Sequence, residues 1–223
     1  MNRLQAELQR LYLPADGQVT GVVLELVRPA GWGALAKVWR GVQEDLELPA
    51  PAIAISGVDG YQLWFSFAQP LPAAQALAFA EALRARYLGE IPLDRVRTQL
   101  AAEAVAPSVE RSPGCWSAFV APDLAAVFDD EPWLDLPPGA DAQADVLARL
   151  ERTRPDDLQR ALTQLGPEPP AAPVRTAQPV PAADNADPRR FLLDVMNDTS
   201  IALPLRIEAA KALLPFSDAK GPR

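Results

Sequence analysis

Residues 56–67 read SGVDGYQLWFSF, and PAIAIS at 51–56 leads into them. β-Branched and aromatic residues flank a short Gly/Asp connection. This pattern predicts two strands, 51–56 and 61–67, joined through GVDG as a β-hairpin. In the second strand, alternation places Leu63, Phe65 and Phe67 on one face and Gln62, Trp64 and Ser66 on the other. Gln62 therefore stands apart from the evident apolar face. Two readings of the connection are open. In one it is an ordinary turn in which Asp59–Gly60 supplies positive φ. In the other, Ser56, Gly57 and Gly60 leave backbone N–H groups accessible to a phosphate.

Outward from the hairpin, helical and strand periodicities alternate. Residues 3–13 predict a helix with Leu4, Leu8 and Leu11 on one side, and TGVVLELV (20–27) predicts a buried strand. Residues 31–46 predict a helix carrying Leu35, Val38, Trp39, Val42 and Leu46. Residues 72–88 predict another, with Phe79, Leu83 and Tyr87 stacked. A strand is expected at 115–122 and helices at 141–151 and 155–166, the last opened by Pro155 and stopped by Gly166. Interspersed helices and strands indicate a mixed α+β class, a sheet with flanking helices.

Beyond this body (1–166), PEPPAAPVRTAQPVPAADNA (167–186) carries six prolines and little apolar bulk. It is expected to be an extended, flexible linker with a reach of about 60 Å. At 187–216 the pattern returns to helix. Asp187 can N-cap a helix with Pro188 at its first position. Phe191, Leu192, Val195 and Met196 form its apolar face, and a second helix presents Leu205 and Leu213. A hairpin this small cannot bury a core of its own. It is expected to dock on a protein partner or a second copy, with 217–223 as a disordered terminus. Residues 187–223 hold six Lys/Arg and five Asp/Glu, so the acidic charge belongs to the remainder.

Net charge over the 223 residues is −8, which gives no overall field to draw in polyanions. No histidine is present, which excludes Ser-His-Asp and Cys-His catalysis and most transition-metal sites. Acid–base chemistry would fall to carboxylates, Lys or Tyr, and any metal would be a hard cation on oxygen ligands. The single cysteine, Cys115, excludes an internal disulfide or a cysteine-rich zinc site and fits a reduced, cytoplasmic setting. No apolar run approaches the roughly 18 residues of a membrane span, and MNRLQAELQRLYLP lacks the core of a signal peptide.

In chain order, a strand bearing an acid (VVLELV), a helix, SGVDGYQLWFSF, AQPLPAA with a long helix, and SPGCWSAFVAPDL (112–124) resemble the archaeo-eukaryotic primase superfamily of primase–polymerases. The likeness is closest to the stand-alone bacterial and mobile-element branch and covers roughly residues 19–135. The resemblance implies a pair of acids on the first strand, a loop histidine that contacts nucleotide phosphates, and a third acid on a later strand. At the matching positions this chain has Glu25 between Val23 and Val27, Gln62, and Asp94 in IPLDRVR. Two-metal phosphoryl transfer needs carboxylates that bridge two cations, and glutamine carries no charge. The expectation is a catalytically degenerate primase-like module in a mobile-element or phage-derived setting associated with DNA replication. It would bind a nucleotide, a nucleic-acid end or a protein partner, with Ser56, Gly57, Gly60 and Gln62 as the nucleotide-binding residues and no cofactor expected. One alternative is an active nucleotidyltransferase using Glu25 and Asp94 with Mg²⁺ or Mn²⁺; another is a purely protein-binding adaptor. LRIEAAKALLPF in the tail is similar to a short segment of phage terminase small-subunit-like proteins. FDDEPWLD (128–135) reads as a solvated acidic turn, and Trp64 and Trp116 as core residues that would stack on a base only if exposed.

Overall fold

β1 (Gly21–Val27) is buried along its whole length, because helices cover one face of its sheet and part of the other. The structure is a computed structural model that describes residues 2–13, 18–27 and 31–166. The expected linker and the helical tail with Phe191, Leu192, Val195, Met196, Leu205 and Leu213 lie outside the described residues. After α1 (Arg3–Leu11) and β1 come α2 (Trp32–Glu44), β2 (Ala52–Ile55), β3 (Gly60–Ser66), α3 (Ala73–Tyr87), β4 (Val96–Leu100), β5 (Glu110–Ser112), β6 (Cys115–Trp116), β7 (Ala118–Val120), α4 (Ala140–Ala148) and α5 (Pro155–Leu165).

β4, β1, β3, β2 and β7 form, in that order, one sheet in which every neighbouring pair is antiparallel. β1 and β2 run the same way with β3 inserted between them, and β3 and β4 run the same way with β1 inserted. The first four strands, with α2 and α3, are thus two interlocked split β-α-β units of ferredoxin-like order. The hairpin expected at 51–67 is present, with Ile55 opposite Tyr61 and Ala52 opposite Trp64. The fold is α+β as the periodicities indicated.

Two apolar layers follow from strand alternation. Val22, Leu24, Leu26, Ile53, Leu63 and Phe65 meet α2, α3 and α5 on one face. Val23, Ala52, Ala54, Trp64 and Phe119 meet Leu4, Leu8 and Leu11 of α1 and Leu147 of α4 on the other. There Tyr12 and Phe119 pack on Trp64 at ring-centroid distances of 5.2 and 5.8 Å. Such pairs contribute about 0.5–1.5 kcal/mol each beyond their burial. α1 is started by a capping box, in which the Gln5 amide donates to Asn2 Oδ1 and the Asn2 amide to Gln5 Oε1. Asp129, from the expected acidic turn, accepts the Trp32 amide at the N-terminus of α2, where a carboxylate is favoured. α5 has Pro155 at its first turn and ends at Gly166 with φ +84°. Gly41 is set by packing, since a Cβ there would lie 2.3 Å from the Tyr87 ring. No helix among the described residues is long and apolar enough to cross a membrane.

The expected strand at 115–122 is in fact two. Ser117 breaks it, its hydroxyl donating to the Val109 carbonyl while accepting the Val109 amide. β6 then pairs with β5 as a separate ribbon, and β7 joins the main sheet as an edge. That edge is closed from the side. The Phe119 amide donates to Gln143 Oε1 (2.6 Å) and Gln143 Nε2 donates to the Phe119 carbonyl (3.0 Å). The buried glutamine of α4 thereby supplies the donor and acceptor that a sixth strand would bring.

Two outcomes are expected. Gln143→Ala strands both main-chain groups of Phe119 and should lower the stability of the body by about 2–4 kcal/mol, read from urea unfolding. The chain's three tyrosines are all held protonated. Burial pushes Tyr12 up; burial and then Asp129 push Tyr61 up; burial and then the hydrogen bond to Asp45 push Tyr87 up to about 12. Folded values above the unfolded value of about 10 mean that this stabilisation is complete below pH 10 and is lost as pH rises toward 12 and beyond. Tyrosinate absorbance should stay low through pH 10 and rise together with the loss of circular dichroism.

Candidate functional site

The second face of the sheet changes character along its length. Under α1 and α4 it is apolar; beyond them, cross-strand neighbours Glu25 and Gln62 replace the hydrophobic pairs. Gln62 Nε2 donates to Glu25 Oε1 at 3.0 Å, and the Trp64 indole N–H donates to Gln62 Oε1 at 2.9 Å. The indole fixes the amide with its NH₂ toward the carboxylate. Glu25 and Gln62 are each 8% exposed, so this relay satisfies groups that burial would otherwise penalise.

Glu25 and Gln62, with Ser56 and Ser117, are the buried residues lining a cavity of about 410 Å³. Val58 (45% exposed) and Val105 (52%) also line it. Arg97 and Gln99 from β4, Arg111 from β5, Asp59 and Glu103 complete the wall. Three carboxylates thus face two guanidinium groups. Arg97 lies opposite Glu25 across β1 and β4, but its Nη1 is 3.9 Å from Glu25 Oε2. That is an ion pair at the limit of contact, from a side chain 65% exposed, and such pairs contribute little.

The loop brings Ser56 to the cavity and closes on itself. Ser56 Oγ accepts the amides of Val58, Asp59 and Gly60 at 3.2, 3.1 and 2.9 Å. The Ser56 amide donates to the Gly60 carbonyl and the Gly57 amide to the Pro132 carbonyl. The expected open amides of Ser56, Gly57 and Gly60 are therefore all paired, and neither glycine lines the cavity. Positive φ lies at Gly57 (+77°) and not at Asp59–Gly60. A Cβ at Gly57 would lie 2.7 Å from the Ser117 amide nitrogen, and one at Gly60 would lie 2.6 Å from the Leu26 carbonyl oxygen. Both glycines are explained by close main-chain approach.

Asp94 is not brought to this cavity; it is exposed in the 3₁₀ turn Leu93–Arg95 that leads into β4. Its strand supplies Arg97 and Gln99 instead, which the sequence reading missed. The alternation of Val96, Thr98 and Leu100 against Arg97 and Gln99 was the available signal. A hard-cation pair is not well served here. Glu25 already accepts from Gln62, and no three Asp, Glu, Cys or His side chains among the described residues are grouped as a metal ion requires. Trp64 is buried against Tyr12 and Phe119, away from any base. A second hollow of about 360 Å³, beside Trp39, Pro51, Val120, Val146 and Leu150, is mostly apolar and contains none of the expected site residues.

No family model, curated protein or solved structure matches the chain. The primase likeness rests on the motifs quoted above.

Ser56→Ala removes the acceptor for three loop amides. Amide hydrogen exchange at Val58, Asp59 and Gly60 should accelerate by more than about tenfold, with a global loss of about 1–3 kcal/mol. Unchanged protection at those three amides would contradict the assigned role of the hydroxyl.

Proposed function

We propose that the chain is a non-catalytic, primase-like binding module that holds a nucleotide or nucleic-acid end in the Glu25–Gln62 cavity. The observation that carries this reading is convergence. The acid of the first strand and, from the neighbouring hairpin, the loop serine and the glutamine at the histidine position line one cavity, where two arginines from β4 and β5 join them. Chemistry at that point is disfavoured by the same arrangement. One carboxylate on the floor is engaged by an uncharged amide, and Asp94 stands elsewhere. With its loop amides paired, the site would hold phosphate through Arg97 and Arg111 rather than through a main-chain cradle. A mobile-element or replication setting belongs to the same proposal and rests on the resemblance alone.

Titration calorimetry of the full chain with nucleoside monophosphates and 5′-phosphorylated oligonucleotides tests it. Binding should be measurable and should weaken by about tenfold or more in Gln62→Ala, which removes a donor to Glu25 and the acceptor of the Trp64 indole. No nucleotide should be incorporated on a primed template with Mg²⁺ or Mn²⁺. Incorporation abolished by Glu25→Gln would overturn the non-catalytic assignment. Absence of any nucleotide binding would return the loop to a plain turn and favour a protein-binding adaptor.

A further inference from the structure

We infer that the cavity selects guanine, with the Glu25 carboxylate accepting the N1–H and the 2-amino group of the base. The inference rests on the nucleotide reading above and adds the identity of the base.

The argument begins with the unused capacity of one buried group. An ionised carboxylate can accept about four hydrogen bonds. Glu25 accepts one, from Gln62, on Oε1. Oε2 accepts none from the described residues, its nearest cation being Arg97 at 3.9 Å. The amide cannot turn to serve it, because the Trp64 indole holds Gln62 Oε1. A residue 8% exposed thus presents a charged acceptor to the cavity with most of its hydrogen-bonding capacity open. A ligand that brings donors to it forms charge-assisted bonds.

Among the bases, guanine alone carries two adjacent donors on one edge, N1–H and the 2-amino group, at the spacing of two carboxylate oxygens. Adenine and cytosine each place one amino group next to an unprotonated ring nitrogen, whose lone pair would face the carboxylate. Uracil places a single N–H between two carbonyls. Carboxylate recognition therefore favours guanine by attraction and opposes the others by repulsion between acceptors. Val58 and Val105 supply the apolar surface that a planar ring requires in an otherwise polar cavity. The exposed Arg97 and Arg111 are the groups available to the 5′-phosphate.

The test is calorimetry on the unmodified full chain with GMP, IMP, AMP, CMP and UMP, all of the same phosphate charge. GMP should bind at least about tenfold more tightly than AMP or CMP, with IMP, which keeps N1–H and lacks the 2-amino group, between them. Glu25→Gln should erase the ranking. Arg111→Ala should weaken all five alike and preserve it, which separates base reading from phosphate holding even where the Glu25 variant folds poorly. Equal affinities across the five, within about threefold, would overturn the guanine assignment and leave the nucleotide reading standing. No binding by any of them to a chain with native circular dichroism would overturn both.

Discussion

The hydrogen-bond relay from the Trp64 indole through Gln62 to Glu25 is the constraint around which one face of the sheet is organised. A sheet face is dry where helices cover it and wet where they do not, and a boundary between the two regions must satisfy every polar group on the dry side. Gln62 serves a group on each side of that boundary, since a side-chain amide is both acceptor and donor. Its oxygen ends the apolar region, where Tyr12, Phe119 and the leucines of α1 surround Trp64. Its nitrogen begins the polar region, where Glu25 faces the cavity. An apolar residue at 62 would take the acceptor from the indole N–H and the hydrogen-bond donor from the carboxylate together. A charged residue would place an ion against the aromatic cluster.

The position of the cavity follows from topology. β1 and β3 are interior strands, each paired on both sides, and the floor of the cavity is built from them. Its exposed arginines come from β4 and β5, at an edge of the sheet and on a separate two-stranded ribbon. Buried acceptors below and exposed cations above suit a ligand that is flat at one end and anionic at the other. Ferredoxin-like order by itself carries no such implication, because that arrangement hosts many unrelated activities.

Much of the fold was legible because periodicity and burial coincide. GVVLELV, the 51–67 hairpin and the Leu4–Leu8–Leu11 stripe are buried as their patterns indicate. β4 was not legible. Five residues, VRTQL, only partly buried and entered through a proline and a 3₁₀ turn, make a weak signal. The loop was read correctly as a connection and incorrectly in its interior. SGVD offers a hydroxyl and a glycine, but nothing in the letters indicates that the hydroxyl turns inward to gather three amides, or that Gly57 carries the positive φ. Ser56 and Gln62 are joined by one short turn, and Glu25 meets them through the pairing of β1 with β3. Arg97 and Arg111 join them through long-range pairing that local pattern does not encode.

The closure of β7 by Gln143 makes the sheet unequal at its two ends. Within the described residues, the other end, β4, has no strand beyond it. Strand addition is opposed at the β7 end of this sheet: the side chain that stabilises the edge also withholds the Phe119 main-chain groups from any second sheet.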